Sequence, residues 1–318
     1  MMPSGAALRG DLADFLVQHY RDPNGYIAEQ VMPFYDVADE QNTFKKLSVN
    51  ATAALPDDTM SVKGGANSED WELEEDSYAT KPRGFDGRLH DLDRARMEQA
   101  GQDGEAVVAM RTADILMARQ EYRVAQIIYN TTNFPLSGTT GVSVSNAWSS
   151  SSGTPLADVA TGMRVLHDKV GGLPNTLVIH LKTYLDLCNQ DRIKERYLSV
   201  AERGQLIPLP ALAAYFGVAK LLVAGLNTYN TADKGLTASL SGLWGTGYAW
   251  LGYTANGDNT PLYPTPQVGR IFSWNKWGGR LRVKQVRDDV RETDIFQVRR
   301  QTQEKFFGNR YGYLMGGV

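Results

Sequence analysis

The chain has 318 residues, 42% of them hydrophobic, enough to bury a sizeable core in one large domain or two modest ones. Its formal net charge is −3 with 22% charged residues, which excludes a strongly basic nucleic-acid binder or an acidic solvating tail as a description of the whole molecule. A single cysteine, Cys188, excludes an internal disulfide and fits a reducing compartment, and without a signal-peptide pattern or a membrane-length apolar run the chain is expected to be made and used as a soluble protein.

Residues 1–43 read as an arm whose one amphipathic stretch, Asp11 to Tyr20, sets Leu12, Phe15, Leu16 and Tyr20 at helical spacing before the turn RDPNG. From Phe44 to Thr80 helical periods are few, Gly64-Gly65 lies near the middle, and the acidic, aromatic segment WELEEDSYATKP comes at the end. This predicts a long two-stranded excursion with a flexible tip. Its apolar residues are too scattered to bury one another, and an isolated hairpin is marginal in water, so it is expected to rest on another molecule. Residues 105–130 form the clearest helix: Val108, Ile115, Tyr122 and Tyr129 are spaced by seven, and Val124 and Ile128 widen the stripe. At 1.5 Å per residue it runs to roughly 39 Å, long enough to act as a spine.

SGTTGVSVSNAWSSSSGTP reads as strand and loop around one large aromatic, Trp148. The helix PLADVATGMRVLHDKV follows, with Thr154 as its cap, Pro155 in the first turn, Asp158 at the positive end and Gly171-Gly172 as its stop. TLVIHL is a short strand, succeeded by a helix near Lys182 to Asn189 and a charged helix, QDRIKERYL. LPALAAYFG is a further helix and AKLLVAG a buried strand. LNTYNTADKGLTASLSG reads as an exposed loop, and LWGTGYAWLGY as an aromatic strand packed closely through Gly242, Gly245 and Gly247. GRLRVKQVRDD and DIFQVRRQTQEKF read as strands with one buried and one wet face, and GYLMGGV ends the chain as a strand.

Six of these pieces, in this order, resemble the tailed-bacteriophage major capsid proteins with the Hong Kong 97 fold: RQEYRVAQIIYN, Trp148 with TPLADVATGMRVL, GLPNTLVIHLKTYLDLCNQDRIKERY, LAAYFGVAKLLVAG, LWGTGYAWLGY and GYLMGGV. The match is good over 105–318 and rests on layout alone before that. The resemblance implies an α+β fold with an N-terminal arm (1–43), an E-loop (44–85), a P-domain with the spine helix (86–155), an axial A-domain (156–285) and C-terminal P-domain strands (286–318). It further implies a non-enzymatic subunit, made in the host cytoplasm, that joins itself as pentamers and hexamers into an icosahedral virion capsid around double-stranded DNA. Expected partners are a portal protein, a separate scaffolding protein, a decoration protein and the packaged DNA, touched without sequence preference, with no membrane and no cofactor. An encapsulin-like nanocompartment is the rival within the fold, and a soluble α/β enzyme the rival outside it.

The motifs of nucleophilic, zinc-dependent and phosphate-loop enzymes are absent, and His19, His90, His167 and His180 fall on unrelated elements, as expected of structural or solvated histidines. Asn227, Asn230 and Asp233 lack the glycine and closing glutamate of a calcium loop. Arg280, Arg282, Lys284, Arg287, Arg299 and Arg300 could meet packaged DNA, a neighbour's acidic face, or solvent alone. Candidates for contact between subunits are Lys63, Trp71, Glu72, Glu74, Glu75, Asp76, Arg119, Arg123, Arg282 and Arg299. Trp148 is the expected buried anchor where the spine meets the axial domain. Some relatives join a lysine to an asparagine of a neighbour; Lys63 and Asn309 have the right types, but particles without such bonds are expected.

Overall fold

The computed structural model describes residues 22–47, 53, 55, 57–60, 64, 73–197, 206–233, 235–262, 265–276 and 279–318. The helix expected at Asp11–Tyr20, His19, Lys63, Trp71 and Glu72 lie outside them. The elements run α1 (Ala28–Val31), β1 (Phe34–Val37), β2 (Gln41–Leu47), β3 (Leu73–Ala79), β4 (Lys81–His90), α2 (Asp91–Gln99), α3 (Gly104–Ile128) and β5 (Gly141–Ser143). Then come α4 (Pro155–Val170), β6 (Thr176–His180), α5 (Leu181–Asn189), α6 (Asp191–Tyr197), α7 (Leu209–Phe216) and β7 (Lys220–Ala224). β8 (Thr228–Asn230), β9 (Leu240–Gly242), β10 (Tyr248–Gly252), β11 (Gly269–Trp274), β12 (Arg282–Asp288), β13 (Thr293–Phe306) and β14 (Gly312–Gly316) complete the order.

Two five-stranded sheets organise the chain. In the first, β13 is the hub: β4 pairs along one edge, β12 and β11 share the other, and β1 lies parallel to β11. The second runs β5-β14-β10-β6-β7. All five residues of β6 are buried, as the apolar run TLVIH requires of a central strand flanked on both edges.

Helix α3, 25 residues long, covers one face of the first sheet. It can lie that close because Gly87 of β4 has no side chain: a Cβ there would collide with Thr112 and Val108 of the helix. The start of α3 is capped by Asp103, which accepts from the amides of Glu105 and Ala106 at 3.0 and 3.2 Å. Helix α4 ends as its sequence predicts, on Gly171 in the left-handed region at φ 84°. Its start differs, since Thr154 forms no side-chain cap and Asp158 instead accepts from the Trp148 indole at 2.9 Å.

Several groupings differ from the sequence reading. Ile27, Ala28, Val31, Met32 and Phe34, assigned to the arm, are buried in the core between the sheets. Their burial and the pairing of Phe34 with Ile271 bind residues 27–37 into the subunit itself. The two-stranded excursion is present as the ladder from Gln41↔Ala79 to Leu47↔Leu73, but it ends at Ala79, because residues 81–85 already pair with β13. The grouping 156–285 is split, with β11 and the start of β12 in the first sheet, and so is 286–318, because β14 joins the second. The stretch expected to be one exposed loop contains the β8–β9 hairpin and a buried Asn227, and the strand expected to start at Leu243 starts at Tyr248. Gly247 before it is a turn residue at φ 78° rather than a close-packed strand position. Strand β12 has no buried face: Val283 is 53% exposed.

A polar latch closes the first sheet around β1. Arg280 donates to both carboxylate oxygens of Asp36 at 3.1 and 3.0 Å, lies over the Phe34 ring and also pairs with Asp258. The Arg280 guanidinium, helped by Asn259 and Asn275 against the opposing effect of burial, holds the Asp36 carboxyl down at about 2. A folded value below the unfolded 3.8 stabilises the protein above that pH, and the gain is lost as pH falls toward about 2. Asp36→Asn is therefore expected to be less stable than the parent by about 1 kcal/mol near neutrality, a partly exposed pair being worth no more. Urea melts across a pH series should show that difference constant above pH 4 and shrinking between pH 4 and 2.

Candidate assembly surfaces

The described ladder of the excursion is tied to the body by aromatic and polar contacts. Tyr78 stacks on Phe272 at 4.7 Å, Phe44 meets Phe272 and Phe307 at 5.7 Å each, and Ala79 donates its amide to Gln303. Its outer half overhangs a cavity of about 560 Å³ lined by Lys46, Leu73, Lys169 and Arg310. Leu55, Met60 and Leu73 are 98%, 61% and 47% exposed. Apolar side chains so placed bury little of their surface in their own subunit, Leu55 least of all.

The charged contact candidates divide into engaged and free. Asp76 pairs with Lys305 at 2.6 Å and Lys46 at 3.4 Å, and Lys46 also reaches Glu74 at 3.8 Å, so these two acids are met at home. Arg123 pairs with Glu304 at 2.8 Å and Arg299 with Asp86 at 2.7 Å, again inside the subunit. Arg300, expected on a wet face, is only 6% exposed, because even-numbered residues of β13 point under α3. Arg280 and Arg287 are likewise held, the latter by Asp91 at 2.6 Å. Glu75, Arg282 and Lys284 are exposed and have no ion pair among the described residues, and exposed Arg119 lies over the Tyr122 ring at 5.8 Å. Asn309 is exposed at the start of a short 3-10 turn.

Two of the histidines and one asparagine singled out in the sequence shape local structure. His90 and His180 cap α2 and α5, accepting from the amides of Leu92 and Lys182. Asn230 shapes its hairpin by accepting from the amides of Ala232 and Ser239. Cys188 is buried. Among the described residues no cluster could hold a metal ion, and no helix is long and apolar enough to cross a membrane.

The buried polar residues were not singled out by the sequence. Glu121 accepts from the amides of Ile27 at 3.0 Å and Ala28 at 2.8 Å and from the Trp244 indole, and burial pushes its carboxyl up. Its signal was positional: a carboxylate on the stripe of Val124, Ala125 and Ile128 must find donors when that stripe is covered.

No protein-family model matches the sequence, and no curated protein does. Solved structures do match, over nearly the whole chain. A phage-related protein from Bordetella bronchiseptica RB50 is 22% identical over 94% of this chain and 93% of its own, with a TM-score of 0.68. The capsid of cyanophage P-SCSP1u is 12% identical over 100% and 93%, with a TM-score of 0.60. The chain has the Hong Kong 97 capsid fold. The SrpI encapsulin of Synechococcus elongatus matches at 11% identity over 100% and 96%, with a TM-score of 0.50.

Within this capsid fold, Trp148 is fully buried, stacked on Phe216 at 6.3 Å and bound through its carbonyl by Gln190. It packs with α4, α6 and α7 rather than against the spine α3, because its indole follows Asp158 on α4. Trp148→Ala is expected to cost about 3–5 kcal/mol, a cavity penalty added to a carboxylate left without its donor. Urea denaturation of the parent and variant chains would measure it; a difference under 1 kcal/mol would refute the anchor role.

Proposed function

We propose that this chain is the major capsid protein of a tailed bacteriophage, a non-catalytic subunit that closes through pentamers and hexamers into an icosahedral shell around double-stranded DNA. The observation that carries the reading is the full-length correspondence to capsid structures, which includes the excursion as well as the two sheets. The exposed Leu55, Met60 and Leu73 give the physical reason for association: they become buried when the excursion, read as the E-loop, crosses a second copy. In this reading the first sheet with α3 is the P-domain and the second sheet with α4 to α7 the axial A-domain. The virion capsid is the destination. A portal, a scaffolding protein and a decoration protein are the further partners, and the exposed Glu75, Arg119, Arg282 and Lys284 are the charges left for neighbours.

Electron microscopy of the expressed chain should show closed, regular shells; a uniform monomer at high concentration would refute the reading. Shells holding a protein cargo instead of DNA when isolated from their natural source would favour the encapsulin alternative. Replacing residues 48–72 by a short Gly/Ser turn keeps the ladder from Gln41 to Leu47 against Leu73 to Ala79. The shortened chain should retain its circular dichroism and its melting temperature within a few degrees yet fail to form shells, since the domain tolerates loop changes and loses only its reach.

A further inference from the structure

Arg83 of β4 and Arg300 of β13 are direct cross-strand partners, so both side chains leave the same face of the first sheet, the one under α3. Like charges in that relation repel, the more so where water is excluded, and Arg300 is 6% exposed. Arg123 brings a third guanidinium from the helix above. One carboxylate meets them: Glu304 accepts from Arg123 at 2.8 Å and from Arg83 at 3.3 Å. Arg300 turns to a neutral partner, the side-chain oxygen of Gln120. Among the described residues three guanidinium charges thus share one ion-paired carboxylate, with Glu29 acting on Arg300 without an ion pair. Among the described residues, the Nε atoms of Arg83, Arg123 and Arg300 are buried without a hydrogen-bond partner, and so is the hydroxyl of Thr302, the next residue of β13 on that face. Burial lowers the basicity of Arg300; Glu29 is the chief opposing charge, with Glu304 behind it, while Arg123 and Arg83 add to the lowering.

We propose that Arg83, Arg123, Arg300 and Thr302 form a phosphate-binding site between the spine helix and the first sheet, with Arg119 at its mouth. A phosphate carries nearly two negative charges and several acceptor oxygens, which matches the surplus charge and the unpaired donors together. Guanidinium groups suit phosphate because their planar donor forks fit its oxygens. Access runs along Arg83 and Arg123, whose side chains keep 27% and 23% exposure, and past exposed Arg119, one helical turn from Arg123. The phosphate comes either from free inorganic phosphate or from a nucleic-acid backbone; the burial of Arg300 suits the small ion.

The test is thermal melting of the full-length chain titrated with inorganic phosphate, against sodium chloride at matched ionic strength. Phosphate should raise the melting temperature saturably where chloride does not. Arg83→Gln should weaken the apparent affinity at least about tenfold, the loss of one charged hydrogen-bonding partner. Should that variant fail to fold, Arg119→Gln, at an exposed position, should still weaken binding severalfold, and phosphorus-31 line broadening reads binding without unfolding. A short DNA duplex that displaces bound phosphate assigns the site to backbone phosphates, and a duplex without effect assigns it to the free ion. Equal responses to phosphate and chloride, or an affinity unchanged in the variants that fold, would overturn the proposal. Shell formation is scored separately by microscopy, so this outcome and the capsid reading stand or fall independently.

Discussion

Much of the architecture depends on one buried carboxylate. Glu121, 1% exposed on the spine helix, accepts from two backbone amides at the head of α1 and from the Trp244 indole, and among the described residues it has no ion pair. A carboxylate can remain inside a protein on such terms when several donors are aimed at it and would otherwise be orphans themselves. The donors come from sequence positions near 27 and 244, so the contact joins the N-terminal segment, the spine and the approach to the second sheet at one point. Ile27, Val124, Ile128 and Trp244 gather around it in the core shared by both sheets.

At the other end of the spine the constraint is steric. Gly87 lets α3 settle onto β4, and the same helix then carries Gln120 and Arg123 down to Arg300 and Glu304. The helix is therefore held twice by different physics: by close approach over its first turns and by buried polar bonds over its last. A rod of about 38 Å needs both, since only its C-terminal half is surrounded.

What the sequence made legible follows from range. The spine, α4, β6, α5, α6, α7 and β7 each carry their own period and their own start or stop residues, and they form where those signals lie. The order of the pieces was enough to place the fold. The N-terminal burial was hidden, because Ile27 to Phe34 is too short to show a period and its partner strand lies more than 230 residues away, at Ile271. Strand β12 shows the opposite error. Its alternation Leu281, Val283 against Arg282, Lys284 is real, but α3 stops short of it, so neither face is covered. Alternation shows which residues share a face and says nothing of what lies over that face.

The same limit applies to charge, where it alters the physics of association. Arg123, Arg280, Arg287 and Arg299 read along the chain as a basic surface in search of acids, yet each is met by a carboxylate of its own subunit at 3.0 Å or less. A charge already paired presents a dipole to a neighbour, and burying that dipole strips less water than bringing two bare ions together. Subunits built this way gain little from specific ion pairs when they meet and lose little when the contact shifts by a few ångströms. A surface that must repeat in slightly different settings is better made from apolar contact, which varies smoothly with area, than from ion pairs, which depend steeply on geometry. In the proposed shell the exposed leucines and methionine of the excursion would make contacts of that tolerant kind, with the pre-paired charges left to hold the subunit in one shape.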